Sequence, residues 1–88
     1  MPYRVELTPK ANRQLKDLPR HVQKRIVRRL DLLADDPRQP GTKKLQGRPE
    51  LRRVHVGKDY VIVYTIRQER VAVLIVRIAH RKDAYREL

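Results

Sequence analysis

Three runs rich in β-branched residues, at 51–56, 60–66 and 71–78, are separated only by Gly57-Lys58-Asp59 and by the polar stretch 67–70. Links this short cannot carry a crossover, so the three runs must pair as antiparallel neighbours in a meander. The third run is apolar at every position from Val71 to Val76. Both of its faces therefore call for cover, which places it centrally in the sheet. An 88-residue chain has room for one core, so the remaining residues must supply that cover.

The opening Tyr3-Arg4-Val5-Glu6-Leu7 alternates apolar with charged residues and predicts a strand with one buried face. Thr8-Pro9 then combines an N-cap residue with a proline at the first helical position, where its missing N–H has no intrahelical partner to lose. Ala11, Leu15 and Leu18 form one apolar stripe before Pro19. Val22, Ile26, Leu30 and Leu33 form the next, opposite Lys24, Arg25, Arg28 and Arg29. Asp31, Asp35 and Asp36 gather at the end of this second helix, where the dipole disfavours acid, and Asp36-Pro37 stops it. Residues 37–50, with Pro37, Pro40, Gly41, Gly47 and Pro49, predict a long connection, and residues 79–88 a polar tail in a short helix or coil. The expected fold is α+β in the order β-α-α-β-β-β: a helix hairpin packed on a four-stranded, mainly antiparallel sheet, with residues 1–88 as a single domain.

Charge narrows the partners. Twenty-two Lys and Arg against ten Asp and Glu leave a net +12. Self-repulsion of that size destabilises a compact state unless something anionic offsets it: a nucleic acid, an anionic membrane surface or an acidic protein. With no cysteine, disulfides and thiolate metal sites are excluded. No apolar run approaches the length of a membrane span, and the N-terminal segment lacks the continuous apolar stretch of a signal peptide. A cytoplasmic protein with RNA as its polyanion is the simplest expectation, with no membrane and no small-molecule cofactor.

The acids are scattered singly, so no ligand set for a catalytic metal is expected. RNA, however, carries its own nucleophile. Its 2′-hydroxyl needs only a group to take the proton, a group to serve the leaving 5′-oxygen and cations to hold the phosphorane charge. In the strand at 51–56, Leu51, Arg53 and His55 alternate onto one face and Val54 and Val56 onto the other. By itself this is also the pattern of an ordinary solvated sheet face. His80-Arg81-Lys82-Asp83-Ala84-Tyr85 stands where the last strand runs out, and cations followed by an aromatic suit phosphate neutralisation and base stacking as well as they suit a polar tail.

Taken in order, these segments resemble the RelE/ParE superfamily of toxins from type II toxin–antitoxin pairs. The resemblance spans almost the whole chain. It rests on the opening strand and helix hairpin, on Lys44-Leu45 and Gly47 before a basic strand, on Gly57-Lys58-Asp59-Tyr60 followed by Val63-Tyr64, and on the ending His80-Arg81-Lys82-Asp83-Ala84-Tyr85-Arg86. The ending is RelE-like and differs from the gyrase-poisoning ParE branch. The resemblance implies a ribosome-dependent, metal-independent mRNA endonuclease that enters the ribosomal A site, cuts the mRNA there and is silenced by a cognate antitoxin protein. Carried over by position, His55 is the base, Arg81 the leaving-group stabiliser or acid, Arg53 a charge clamp and Tyr85 the stacking platform. Lys43, Lys44, Arg52, Lys58, His80 and Lys82 are the accompanying RNA-binding residues.

His55 stands where the family often has lysine, and its ordinary pKa of about 6.5 suits proton abstraction at neutral pH. One departure favours another class. The family usually has arginine directly after the tyrosine at position 60, whereas Tyr60 is followed here by Val61. Losing one such donor costs about 2 to 4 kcal/mol of transition-state stabilisation, unless Arg52, Lys58 or His80 replaces it. The alternative is a non-cleaving, ParE-like inhibitor of DNA gyrase or of the ribosome, and beyond that a plain nucleic-acid-binding module.

Overall fold

The computed structural model describes residues 2–86 and 88; the part of the expected tail conformation that falls on Glu87 lies outside it. The chain runs β1 (Arg4–Leu7), α1 (Pro9–Lys16), α2 (Arg20–Asp35), β2 (Lys43–Leu45), β3 (Arg48–Val56), β4 (Tyr60–Arg67), a 3-10 turn (Gln68–Arg70) and β5 (Ala72–His80). The five strands form one sheet in the order β1-β5-β4-β3-β2. β2 to β5 pair antiparallel, and β1 lies parallel to β5 at the far edge.

Local chemistry sets the helices. The Thr8 hydroxyl accepts from the Ala11 amide at 3.1 Å, capping α1 with Pro9 at its first position. Pro19 separates the helices. The acidic end of α2 is closed by Gln39, whose amide donates to the Leu32 and Asp36 carbonyls at 2.8 and 2.9 Å, while the Asp36 carboxylate accepts from the Arg38 amide at 3.1 Å.

The α+β class and the hairpin-on-sheet arrangement are as expected, but the sheet has five strands where four were expected. The extra strand comes from the long connection, whose expected loop is shorter than 37–50. Gly47, at φ +81°, allows a tight turn after Gln46, and Lys43–Leu45 folds back onto β3. The Tyr64 hydroxyl donates to the Pro37 carbonyl at 2.6 Å and ties the start of this connection to the core. β4 holds the middle of the sheet, and β5 lies inside it between β1 and β4.

One sheet face meets the helices. Val54, Val56, Ile62, Tyr64, Val73, Ile75 and Ile78 pack there against Ala11, Val22, Ile26, Leu30 and Leu33. On the other face Leu51, Val61 and Val63 are covered by Ala84 from the C-terminal segment. Between Val63 and Tyr64 the β4–β5 register shifts, leaving Val76 as an extra residue in β5. This bulge turns Arg77 onto the second face. Among the described residues no helix is long and apolar enough to cross a membrane.

Candidate active site

The second face carries the site. Arg53 and His55 alternate with buried Val54 and Val56 on β3, so both side chains point away from the helices. The C-terminal turns bring Arg81, Lys82 and Tyr85 opposite them. Together with Lys44, Leu45 and Gln46 from the β2 hairpin, these residues line an open cleft of about 660 Å³. Residues some thirty positions apart in the chain thus meet because β3 and β5 flank the same central strand.

Two contacts hold the C-terminal side of the cleft. The Arg81 amide donates to the Asp59 carbonyl at 2.7 Å, which fixes the end of β5 against the Gly57-Lys58-Asp59 turn. Arg77, only 7% exposed, donates from Nη1 to the carbonyls of Asp83 and Ala84, each at 3.3 Å, and to that of Arg86. A charged donor inside the protein makes a stronger hydrogen bond than a neutral one, so this fork clamps the turn that presents Tyr85. Tyr85 itself is 44% exposed and free to take a stacking partner.

Electrostatics prepare His55. Slight desolvation of this exposed ring, followed by the positive charges of Arg53 and then Arg81, lowers its pKa below the ordinary imidazole value. The direction of the shift favours the neutral ring, whose free nitrogen can accept a proton. Among the described residues no group of three His, Asp or Glu side chains is disposed to hold a metal ion.

All four residues assigned catalytic roles line the cleft, as do Lys44 and Lys82 of the RNA-binding set. The others do not. Arg52 points to the helix side, where its Nη2 donates to the Thr42 hydroxyl at 2.9 Å, and it lines a separate cleft with Arg38, Lys44 and Glu50. His80 packs edge-on against the Tyr60 ring at 5.8 Å, and Lys43 and Lys58 are exposed outside the cleft. Val61 is fully buried and lies across from His55 in the β3–β4 register, so it supplies apolar floor where an arginine would supply charge. Besides Arg53 and Arg81, the cationic side chains that line the cleft are Lys44 and Lys82, and not Arg52, Lys58 or His80.

Arg77 and the β2 hairpin escaped the sequence reading. In strict alternation Arg77 would share a face with Val73 and Ile75, and only the bulge removes it from the helix side. The one signal for it was a lone arginine inside an otherwise apolar strand, a residue type rarely buried without partners.

Known proteins share this fold. Among curated proteins no sequence match is found. Among solved structures, the chain is similar to the RelBE2 toxin–antitoxin complex of Mycobacterium tuberculosis, with 27% identity over 92% of this chain and 100% of that one, at a TM-score of 0.78. It is similar to the archaeal RelE–RelB complex of Pyrococcus horikoshii, with 27% identity over 96% of this chain and 100% of that one, at a TM-score of 0.76. The isolated Escherichia coli RelE toxin shares its fold at a TM-score of 0.79, with 22% identity over 89% of this chain and 83% of that one. Residues 5–85 match the family model described as the ParE toxin of the type II toxin–antitoxin system parDE. The chain therefore belongs to the ParE toxin family of type II toxin–antitoxin systems, within the RelE/ParE superfamily.

Proposed function

We propose that the whole chain acts in the cytoplasm as one RelE-like toxin domain: a ribosome-dependent endoribonuclease that cuts mRNA in the A site without a metal. The observation that carries this reading is the convergence of Arg53, His55, Arg81 and Tyr85, with Lys44 and Lys82, in one cleft around a base of lowered pKa. His55 takes the proton from the 2′-hydroxyl, whose oxygen attacks the adjacent phosphorus. Arg53 holds the equatorial charge of the phosphorane, and Arg81 neutralises the charge building on the leaving 5′-oxygen. Tyr85 stacks on a base and aligns the 2′-oxygen with the bond to be broken. Lys44 and Lys82 stand in for the cation missing at Val61. The solved relatives in complex with RelB support a cognate antitoxin as the protein partner.

A second reading has its own support. The matching family model is named for ParE, and Val61 removes a cation from the floor of the cleft. Under that reading the chain inhibits gyrase or the ribosome by binding alone.

Cleavage of a defined mRNA on programmed ribosomes in EDTA separates the two. The endonuclease produces cuts ending in 2′,3′-cyclic phosphate, and His55→Ala lowers the rate by about 10² to 10⁴, as expected for loss of a general base. Intact mRNA with the wild-type chain, alongside inhibited gyrase supercoiling, establishes the binder instead.

A further inference from the structure

The largest concentration of charge outside the cleft lies on α2. Arg25, Arg28 and Arg29 lie at i, i+3 and i+4, hence on one side of the helix. With Leu32, Val56 and Gly57 they line a groove of about 190 Å³ at the end of β3. His55 also lines it, so groove and active-site cleft meet at a single side chain.

Three features set this groove apart from an ordinary solvated helix face. First, its charge is uncompensated. Among the described residues the arginines in ion pairs are Arg4, Arg48, Arg70 and Arg86, and none of the three on α2 has a carboxylate within reach. Like charges at these spacings destabilise a helix unless something anionic offsets them. Second, the chain makes room for the guanidiniums. Gly57 adopts φ +63°, and a Cβ there would stand 2.4 Å from Arg25 Nη2, so the glycine lets Arg25 lie over the turn. Arg29 is steadied from the other side, its Nη1 donating to Gln39 Oε1 at 3.2 Å. Third, the way between groove and cleft is open among the described residues, because β2 pairs with β3 only as far as Arg53 and leaves the edge of residues 54–56 without a strand partner.

We propose that this groove is a second phosphate-binding surface, which holds the backbone of the RNA strand flanking the position cut in the cleft. This rests on the endonuclease reading above. Guanidinium forks match phosphate oxygens two at a time. Leu32 is the one exposed large apolar side chain lining the groove, a poor anchor for an amphipathic protein helix. A strand bound in the cleft runs past His55 directly onto Arg25 and Arg28.

The test uses the full chain and two single-stranded RNAs, methylated on the 2′-oxygen at the cut position to prevent cleavage: one of about three nucleotides and one of about nine, within the usual range of strand-binding sites. Affinity is read by fluorescence anisotropy across a salt series. Arg25→Gln with Arg28→Gln should weaken the long RNA about tenfold and lower the salt slope by about 1.4, two phosphates at roughly 0.7 each, while the short RNA is unaffected. Lys10→Gln with Arg13→Gln removes the same charge from α1, which packs on β5, and should leave the long RNA bound as in the wild type. Circular dichroism confirms that each variant is folded. Equal losses from both double variants overturn the proposal, since charge alone then explains the effect. So does an unchanged long-RNA affinity in the α2 variant that nonetheless loses binding to a poly-glutamate peptide, which assigns the groove to an acidic protein. Cleavage on programmed ribosomes is scored in parallel. If the wild-type chain cuts and the α2 variant binds like it, the groove proposal alone falls; if the wild-type chain cuts nothing, both fall together.

Discussion

The imidazole of His55 sits within reach of two guanidinium charges, and that neighbourhood gives it a measurable signature. Its titration midpoint, followed by NMR of the ring protons, should lie below the ordinary value of about 6.5. Because desolvation is the first cause and Arg53 and Arg81 the next, Arg81→Ala should move the midpoint back upward; a midpoint that does not respond would remove Arg81 from the neighbourhood of the His55 ring. The sign for stability follows. With the folded pKa below the unfolded one, the contribution of this group is complete above the unfolded pKa and is lost as pH falls towards the folded one. Arg77 acts differently, through the backbone it holds. Arg77→Met should cost about 2 kcal/mol of stability through lost charged hydrogen bonds. It should also reduce turnover more than RNA affinity, because the turn that presents Tyr85 loses its support while the cationic cleft remains. An equal fall in both would make Arg77 a packing residue only.

At the scale of elements, strain is concentrated where the 3-10 turn enters β5. Val71 is β-branched yet adopts φ 49°, and it is 47% exposed, so little packing repays the conformation. Asparagine tolerates the left-handed region better. Val71→Asn should therefore stabilise the protein by about 0.5 to 1 kcal/mol in urea denaturation, and a destabilised variant would show that the exposed half of the side chain matters more than the backbone. At the opposite end of the chain the Thr8 cap closes the first turn of α1. Thr8→Ala should cost about 1 kcal/mol, without effect on the cleft, which α1 does not line. These elements act as a frame: β3 and β5 are held on either side of β4, and the site is assembled from outward residues of β3, from the β2 hairpin and from the turns that follow β5.

Across the whole molecule the net charge of +12 sets how any association with a polyanion should respond to salt. With about six phosphates contacted by cleft and groove together, RNA affinity should fall by roughly two to three orders of magnitude between 50 and 200 mM salt; a flat profile would undo the polyanion argument. Much of this fold was legible beforehand. Alternation, the Thr8-Pro9 cap, the Pro19 break and the short links of the meander act over a few residues, so they declare themselves without knowledge of distant neighbours. For the same reason Arg53 and His55 were visible as partners on one face. Tertiary structure decided the rest. It placed β1 parallel at the edge, recruited Lys43–Leu45 as a fifth strand, turned Arg77 over with the bulge and buried Val61 beside His55. It also left Arg52 and His80 on the helix side while bringing Arg81 and Tyr85 to the cleft. The faces taken by Arg52, Val61, Arg77 and His80 depend on strand register. A shift of one residue reverses every side chain, and register is settled by packing between segments remote in the chain, which a local pattern does not contain.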